Sequence, residues 1–280
     1  MSNEERKKDR VLKKKHQQLY DDWKKNNGPC IICGIENGNE KDHLPPKVLY
    51  PKQLRSDKTH FLTFPVCSNC NRRSSDQDFL FSVLLSLKLN QNYYLKNQEP
   101  KDPDLLALHE QTKSHFQNTK LAIHRKKLLQ KYIGKDPATG REAINIYKFP
   151  INRTITKIVQ SIYWLHTGGD ILQRYNPGWW IRPAVDASKA NFIEKHLKMS
   201  YADIQWGDKF ISSYSIGHPQ NGAGGFISCS LHFYSGKSVT EGMSLYLIAS
   251  PVNTKIKGEN IFDMCTSVFG EPTIAPSKMR

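Results

Sequence analysis

Long apolar runs are the first thing this 280-residue sequence lacks: no stretch is long and apolar enough to cross a bilayer. The N-terminal segment MSNEERKKDRVLKKKHQQLYDDWKK has no apolar h-region. That excludes a cleaved secretory signal and sets the expectation of a cytoplasmic protein without a membrane partner. Acidic charge is also scarce. Lys and Arg number 41 against 26 Asp and Glu, a formal net charge of +15, which points to a polyanionic partner rather than a small-molecule substrate. Residues 1–150 hold 28 basic and 17 acidic side chains, and residues 151–280 hold 13 and 9. The polyanion is therefore expected on the first half. There is no internal repeat and no low-complexity tract. The glycine-rich stretch NGAGG, Asn221 to Gly225, lacks the Lys-Ser/Thr and the strand-to-helix setting of a phosphate loop and reads as a turn between strands.

Cysteine is sparse too, six in all, yet four of the six fall in two Cys-x-x-Cys pairs: Cys30 with Cys33, and Cys67 with Cys70. In a reducing cytosol such pairs read as metal ligands before they read as crosslinks. Two knuckles place four thiolates tetrahedrally around one Zn²⁺. A sphere filled by four thiolates cannot activate water, so this zinc is structural and any chemistry must come from residues it positions. Cys229 and Cys265 have no such spacing and read as ordinary buried or half-buried thiols.

The residues bracketed by the knuckles are the chemical candidates. Asp42 offers a hard oxygen ligand suited to Mg²⁺ or Mn²⁺. The adjacent His43, if strand alternation projects it elsewhere, takes a proton from water near neutral pH. Asn71 follows Cys70 directly; at the expected first residue of a helix it offers a carbonyl oxygen beside N-terminal amides that favour phosphate. Arg72 and Arg73 come next. Lys47, Lys52, Arg55 and Lys58 lie between the expected strands, where a solvated loop and a phosphate track are equally open readings. Asp76 and Asp78 read either as a further ligand or, preferably, as charge on the first helical turn.

The rest of the chain is organised by periodicity and punctuation. Residues 4–26 read as a basic helix with Val11, Leu12, Leu19, Tyr20 and Trp23 as its apolar stripe, ended by NNGP. Apolar residues at helical spacing run from Phe79 to about residue 96, and a second long helix is expected from the Asp-Pro at Asp102 to Gly134. KDPATGRE is a polar loop, and a domain boundary is placed near it. Beyond it, INRTITKIVQSIYWLHTGG reads as a helix stopped by Gly168 and Gly169, and Ala187 to Lys198 as another. DKFISSYSIG, GFISCSLHFYSG and MSLYLIAS read as strands. The tryptophans read as core, except that NPGWW is expected in a loop as an exposed contact. The fold class is α+β, with a basic helical arm (1–27), a metal-stapled module (28–98), a helical connector (99–135) and an α+β domain with an antiparallel sheet (140–280).

CIIC, DHLPPKVLY and FLTFPVCSNCN together resemble the zinc-stapled branch of the HNH endonucleases: a Cys pair, Asp-His, then a second Cys pair followed by His or Asn. The likeness spans about residues 28–80. It implies a ββα-metal module in which His43 is the general base, Asp42 and Asn71 bind the catalytic Mg²⁺ or Mn²⁺, and Arg72 and Arg73 contact phosphate. The Asn that the family carries before its second Cys pair, to orient the catalytic His, is missing from THFLTFPVC. Thr59, His60, Thr63 or a backbone carbonyl are the alternatives. The implied function is metal-dependent hydrolysis of DNA in a prokaryotic restriction or anti-phage setting, under the control of a regulatory protein partner. An RNase, or a zinc module that only binds nucleic acid, is the alternative.

Overall fold

Helix α1, Asn3–Lys25, carries charge on most of its surface and turns one face inward, where Leu12, His16, Leu19, Tyr20 and Trp23 recur at helical spacing. Val11, expected in that stripe, is 61% exposed; His16 takes the inward position instead. In the computed structural model the described residues are 3–55, 61–90, 102–117, 119–145, 149–172, 175–182, 202–205, 210–217, 226–234, 243–251, 255–256 and 259–260. The helix stops where Gly28 tucks under the Trp23 indole: its N–H bonds to the Trp23 carbonyl, and a Cβ there would lie 2.4 Å from the ring. No other residue fits that approach.

Two short antiparallel strands follow, β1 (Glu40–Leu44) and β2 (Leu62–Val66), with Asp42 opposite Phe64 and His43 opposite Thr63. Between them the chain makes two single 3₁₀ turns, Lys47–Leu49 and Lys52–Leu54. Helix α2, Ser68–Leu89, leaves β2 directly and lies against β1. The result is a ββα unit. Two helices come next, α3 (Pro103–Ser114) and α4 (Lys120–Gln130), then a hairpin of β3 (Ile133–Lys135) and β4 (Glu142–Ile144).

Helix α5, Asn152–Thr167, is buried along almost its whole length and ends at Gly168, whose φ of 79° is the left-handed cap that glycine accepts. A five-stranded sheet closes the fold, in the order β5 (Tyr175–Arg182), β9 (Met243–Pro251), β8 (Phe226–Phe233), β7 (Phe210–Gly217), β6 (Ala202–Gln205), every pairing antiparallel. A two-residue pair, β10 (Lys255–Ile256) with β11 (Glu259–Asn260), lies outside it. The class is α+β, as expected.

One continuous apolar cluster runs from Tyr20 through the ββα unit and α5 to Tyr234. Trp164 of α5, fully buried, is its hub, edge-on to Trp23, Phe64 and His16 with ring centroids 5.5 to 6.2 Å apart. Phe81 of α2 meets Phe233 of β8 at 5.3 Å, and the Tyr234 hydroxyl donates to the Leu49 carbonyl at 2.7 Å. The second half is thereby packed onto the elements that carry the candidate site.

Several expectations need correction. The long helix expected from Asp102 to Gly134 is two helices, because the Thr119 side chain caps a new start by accepting from Ala122 N–H, and Gly134 sits in β3. NPGWW is not a loop: it belongs to β5, paired with β9. KDPATGRE, by contrast, is a loop as expected, the turn of the β3–β4 hairpin, with the Asp136 carboxylate accepting from the N–H groups of Ala138 and Thr139. The helix expected at Ala187 to Lys198, the NGAGG turn and Cys265 lie outside the described residues. Cys229 is buried, as expected.

Candidate functional site

Cys30 and Cys33 stand on a tight loop in which Gly34, at φ 67°, returns its N–H to the Cys30 carbonyl, while Ile31 N–H ties the loop to the Pro65 carbonyl at the end of β2. Cys67 is the N-cap of α2, its sulfur accepting from Cys70 N–H at 3.4 Å. The four Sγ atoms all lie within 4.8 Å of one another, and Cys33 and Cys67 are 4.0 Å apart. Tetrahedral Zn–S bonds of about 2.3 Å require sulfurs about 3.8 Å apart, so the cluster suits such an ion after a small contraction. The Cys70 thiol, by hydrogen bonding to Cys30, draws the Cys30 thiol down to about 5. Burial pushes Cys67 up to about 12, and the bond to Cys30 followed by burial raises Cys70. Thiolates this close and this buried repel one another, and a cation among them removes that cost. Among the described residues this is the one His, Cys, Asp and Glu cluster with metal-holding geometry.

Strand alternation puts Glu40, Asp42 and Leu44 on the face of β1 that meets α2. The Asn71 amide nitrogen donates to the Glu40 carboxylate at 2.7 Å. The Ser74 hydroxyl donates to the Asn71 main-chain carbonyl at 2.9 Å and lies 3.4 Å from Asp42 Oδ2. Asp42 Oδ1 accepts the His43 N–H at 2.7 Å. Ser74 thus links Asp42 to the main chain of α2 at Asn71, while the Asn71 side chain is turned to Glu40.

Asn71 is not the first residue of its helix. Helix α2 begins three residues earlier, and the Asn71 N–H is already bonded to the Cys67 carbonyl. The free amides of this helix end therefore lie beside the cysteine cluster. Asp76 and Asp78, expected on the first turn, sit well beyond it and cap nothing. Asp76 pairs with His124 at 3.0 Å, and Asp78 is buried.

Asp78 leads to what sequence reading missed. Lys157 of α5, 2% exposed, extends its ammonium to within 2.9 Å of Asp42 Oδ2 and 2.6 Å of Asp78 Oδ2, and the Thr154 hydroxyl donates to Asp78 Oδ1 at 2.7 Å. Burial pulls the Lys157 ammonium down, but the two carboxylates outweigh it and hold its pKa above the ordinary value. Burial raises the Asp78 carboxyl, an effect that Lys157 and Thr154 oppose. The signal in the sequence was a lysine inside the otherwise uncharged run TITKIVQSIYWL; its partners had none.

His43, by alternation, lies on the opposite face of β1 from Asp42. Burial is the main cause holding its imidazole below the ordinary pKa, and the positive charges of Lys47, Lys157 and Arg55 add to it against the pull of Asp42. It is neutral at neutral pH and able to accept a proton. Arg55 commits Nε to the Tyr50 carbonyl and Nη2 to the Lys47 carbonyl, and together with Lys47 lies over the Phe61 ring. Lys47, Lys52, Arg72 and Arg73 are exposed, with Arg72 Nε returning to the Ser68 carbonyl. Of the residues considered for orienting His43, Thr63 stands opposite it, with its carbonyl 2.8 Å from His16 Nε2; Thr59 and His60 lie outside the described residues.

Searches against protein-family models, curated proteins and solved structures return no match to this chain. No helix among the described residues is long and apolar enough to cross a membrane.

Proposed function

We propose that the protein is a metal-dependent endonuclease of the HNH type that hydrolyses phosphodiester bonds in DNA, with zinc at the four cysteines as a structural ion. The observation that carries this reading is the link from Asp42 on β1 through Ser74 to the first turns of α2, with His43 next along the strand, its imidazole held low by burial and by the charges of Lys47, Lys157 and Arg55. A module that only binds nucleic acid has no need of a base next to a set of oxygen ligands.

Asp42 and Asn71 would hold a Mg²⁺ or Mn²⁺, which would supply Lewis-acid stabilisation of the negative charge on the phosphate and leaving oxygen. The chain's own residues do the rest. His43 takes a proton from the attacking water at a ring nitrogen as the new P–O bond forms and the P–O bond to the leaving sugar oxygen breaks. The cations around His43 raise the local concentration of phosphate, and Arg72 and Arg73 hold a neighbouring phosphate. None of these contacts touches a sugar or a base edge, so the reading extends to RNA and predicts weak intrinsic sequence preference. Specificity and control then fall to the second half or to a regulatory protein, with restriction or phage defence as the setting the resemblance implies.

The rival reading, a zinc module that binds nucleic acid without cutting it, is favoured by one observation: Asp42 already has a cation, Lys157, on one of its oxygens. Cleavage of supercoiled plasmid by the wild type and by His43→Ala, in Mg²⁺, Mn²⁺ or EDTA with zinc assayed in both, separates the two. Cutting that needs added metal and disappears in a variant that retains zinc supports the enzyme. Intact plasmid and intact RNA in every metal, bound equally by both proteins, support the rival.

A further inference from the structure

Both oxygens of Asp42 are tethered, one by the His43 N–H and the other by the Lys157 ammonium. The plane of the carboxylate is therefore set, while lone pairs remain for a further ligand. Lys157 reaches Asp42 from α5 in the second half of the chain and is too deeply buried to meet a substrate itself. An ammonium bonded to a metal-ligand oxygen also repels an incoming divalent ion. Asp78 answers that repulsion. Its carboxylate holds the same Nζ at 2.6 Å, and is itself fixed by the Thr154 hydroxyl. On α2, Asn71, Ser74 and Asp78 lie at i, i+3 and i+7, one stripe facing β1 and α5. The Lys157–Asp78 pair therefore meets Asp42 as a nearly neutral dipole with its donor end forward.

We propose that Lys157 is the positioning residue for Asp42 as a divalent-metal ligand, and that Asp78 neutralises Lys157 so that the ammonium orients Asp42 without competing with the metal. The inference rests on the reading of Asp42 as an oxygen ligand given above. It makes the site incomplete without α5, so the ββα unit alone does not carry a fully ordered metal carboxylate.

The test is calorimetric titration of Mn²⁺ into the full-length zinc-loaded protein, in the wild type and in Asp42→Asn, Lys157→Met and Asp78→Asn, with zinc content and thermal unfolding recorded for each. The expected result is binding by the wild type, loss of binding in Asp42→Asn, and affinity about 10–100-fold weaker in both Lys157→Met and Asp78→Asn, as for other groups that hold a metal ligand in place. Lys157→Met loses orientation; Asp78→Asn keeps the shape of the side chain and leaves an uncompensated ammonium. A purely structural role for the pair predicts wild-type Mn²⁺ affinity wherever zinc and the fold are kept. Such affinity, or tighter binding, in Asp78→Asn or Lys157→Met overturns the proposal. Should Lys157→Met lose its zinc, the near-isosteric Asp78→Asn decides alone. A wild type that binds no Mn²⁺, or an Asp42→Asn protein that binds it unchanged, removes Asp42 as a ligand, and the inference falls with that reading rather than by itself.

Discussion

Two polar clusters lie within a few residues of one another on the ββα unit, and their charges are balanced by different means. At Cys30, Cys33, Cys67 and Cys70 the sulfurs are gathered with no cation of the described residues paired to them: one thiol is drawn down to about 5 and another pushed up to about 12. At Asp42 and Asp78 the balancing cation is already part of the chain, the buried ammonium of Lys157. The first cluster needs an ion from solution to become a set of thiolates. The second is balanced within the chain itself. The sulfurs are therefore suited to hold a metal ion, while the exchangeable ion proposed for the oxygens would have to share Asp42 with Lys157.

Removing a sulfur should break the comparison most visibly. Cys70→Ser takes away one of four ligands, and structural zinc sites in small modules carry on the order of 10 kcal/mol of metal-linked folding energy. The expected outcome is loss of the one bound zinc per chain and collapse of the thermal transition of the ββα unit. A variant that melts like the wild type would mean that these thiols are balanced without metal.

His43→Ala comes next and acts on chemistry rather than folding, with cleavage falling about 10²–10⁴-fold at unchanged zinc content. In the wild type the acid limb of the pH–rate profile should have its midpoint below 6.5, because burial and the nearby cations hold the imidazole down. The same shift fixes a stability sign. The unfolded imidazole takes up a proton at higher pH than the folded one, so this contribution is complete above 6.5 and is lost as pH falls below it. A midpoint above 6.5 would require an anion beside His43 stronger than Asp42.

Breaking the oxygen cluster should cost less than breaking the sulfur cluster. Lys157→Met leaves two carboxylates facing each other in a buried site, a loss of about 3–5 kcal/mol in denaturant unfolding. Adding Asp78→Leu to the same chain should restore much of it, since a removed pair costs far less than a broken one. No recovery in the double variant would show that packing, not charge, sets the penalty. The smallest effect is at the exposed arginines: Arg72→Ala with Arg73→Ala should leave stability unchanged and reduce the salt dependence of DNA binding by about two phosphate contacts.

The sulfur cluster was legible because its ligands come in local pairs: two residues between cysteines put both sulfurs on one loop, and the chemistry of thiols names the class of ion. The divergence of Asp42 and His43 to opposite faces of β1 was legible for a similar reason, since strand alternation sets it. Helix ends were read less well. Asn71 was taken as a helix start, but the Cys67 sulfur makes a cap that ordinary capping preferences do not include. Thr119 split a helix whose apolar period ran on through it. NPGWW carries turn residues and still pairs along β9, where the sheet outweighs local propensity.

The excess of basic charge and the four-cysteine cluster follow from composition and local spacing alone, because each depends on residues that are neighbours along the chain or charges that add without regard to place. The tertiary structure decided that Trp164 welds α1 to β2 and that Asp78 is a buried counter-ion rather than a cap. It also brought a lysine from the far half to Asp42, 115 positions earlier in the chain. Those contacts join residues with no periodic or spacing relation to one another, and only the burial of α5 against α2 brings their charges within reach.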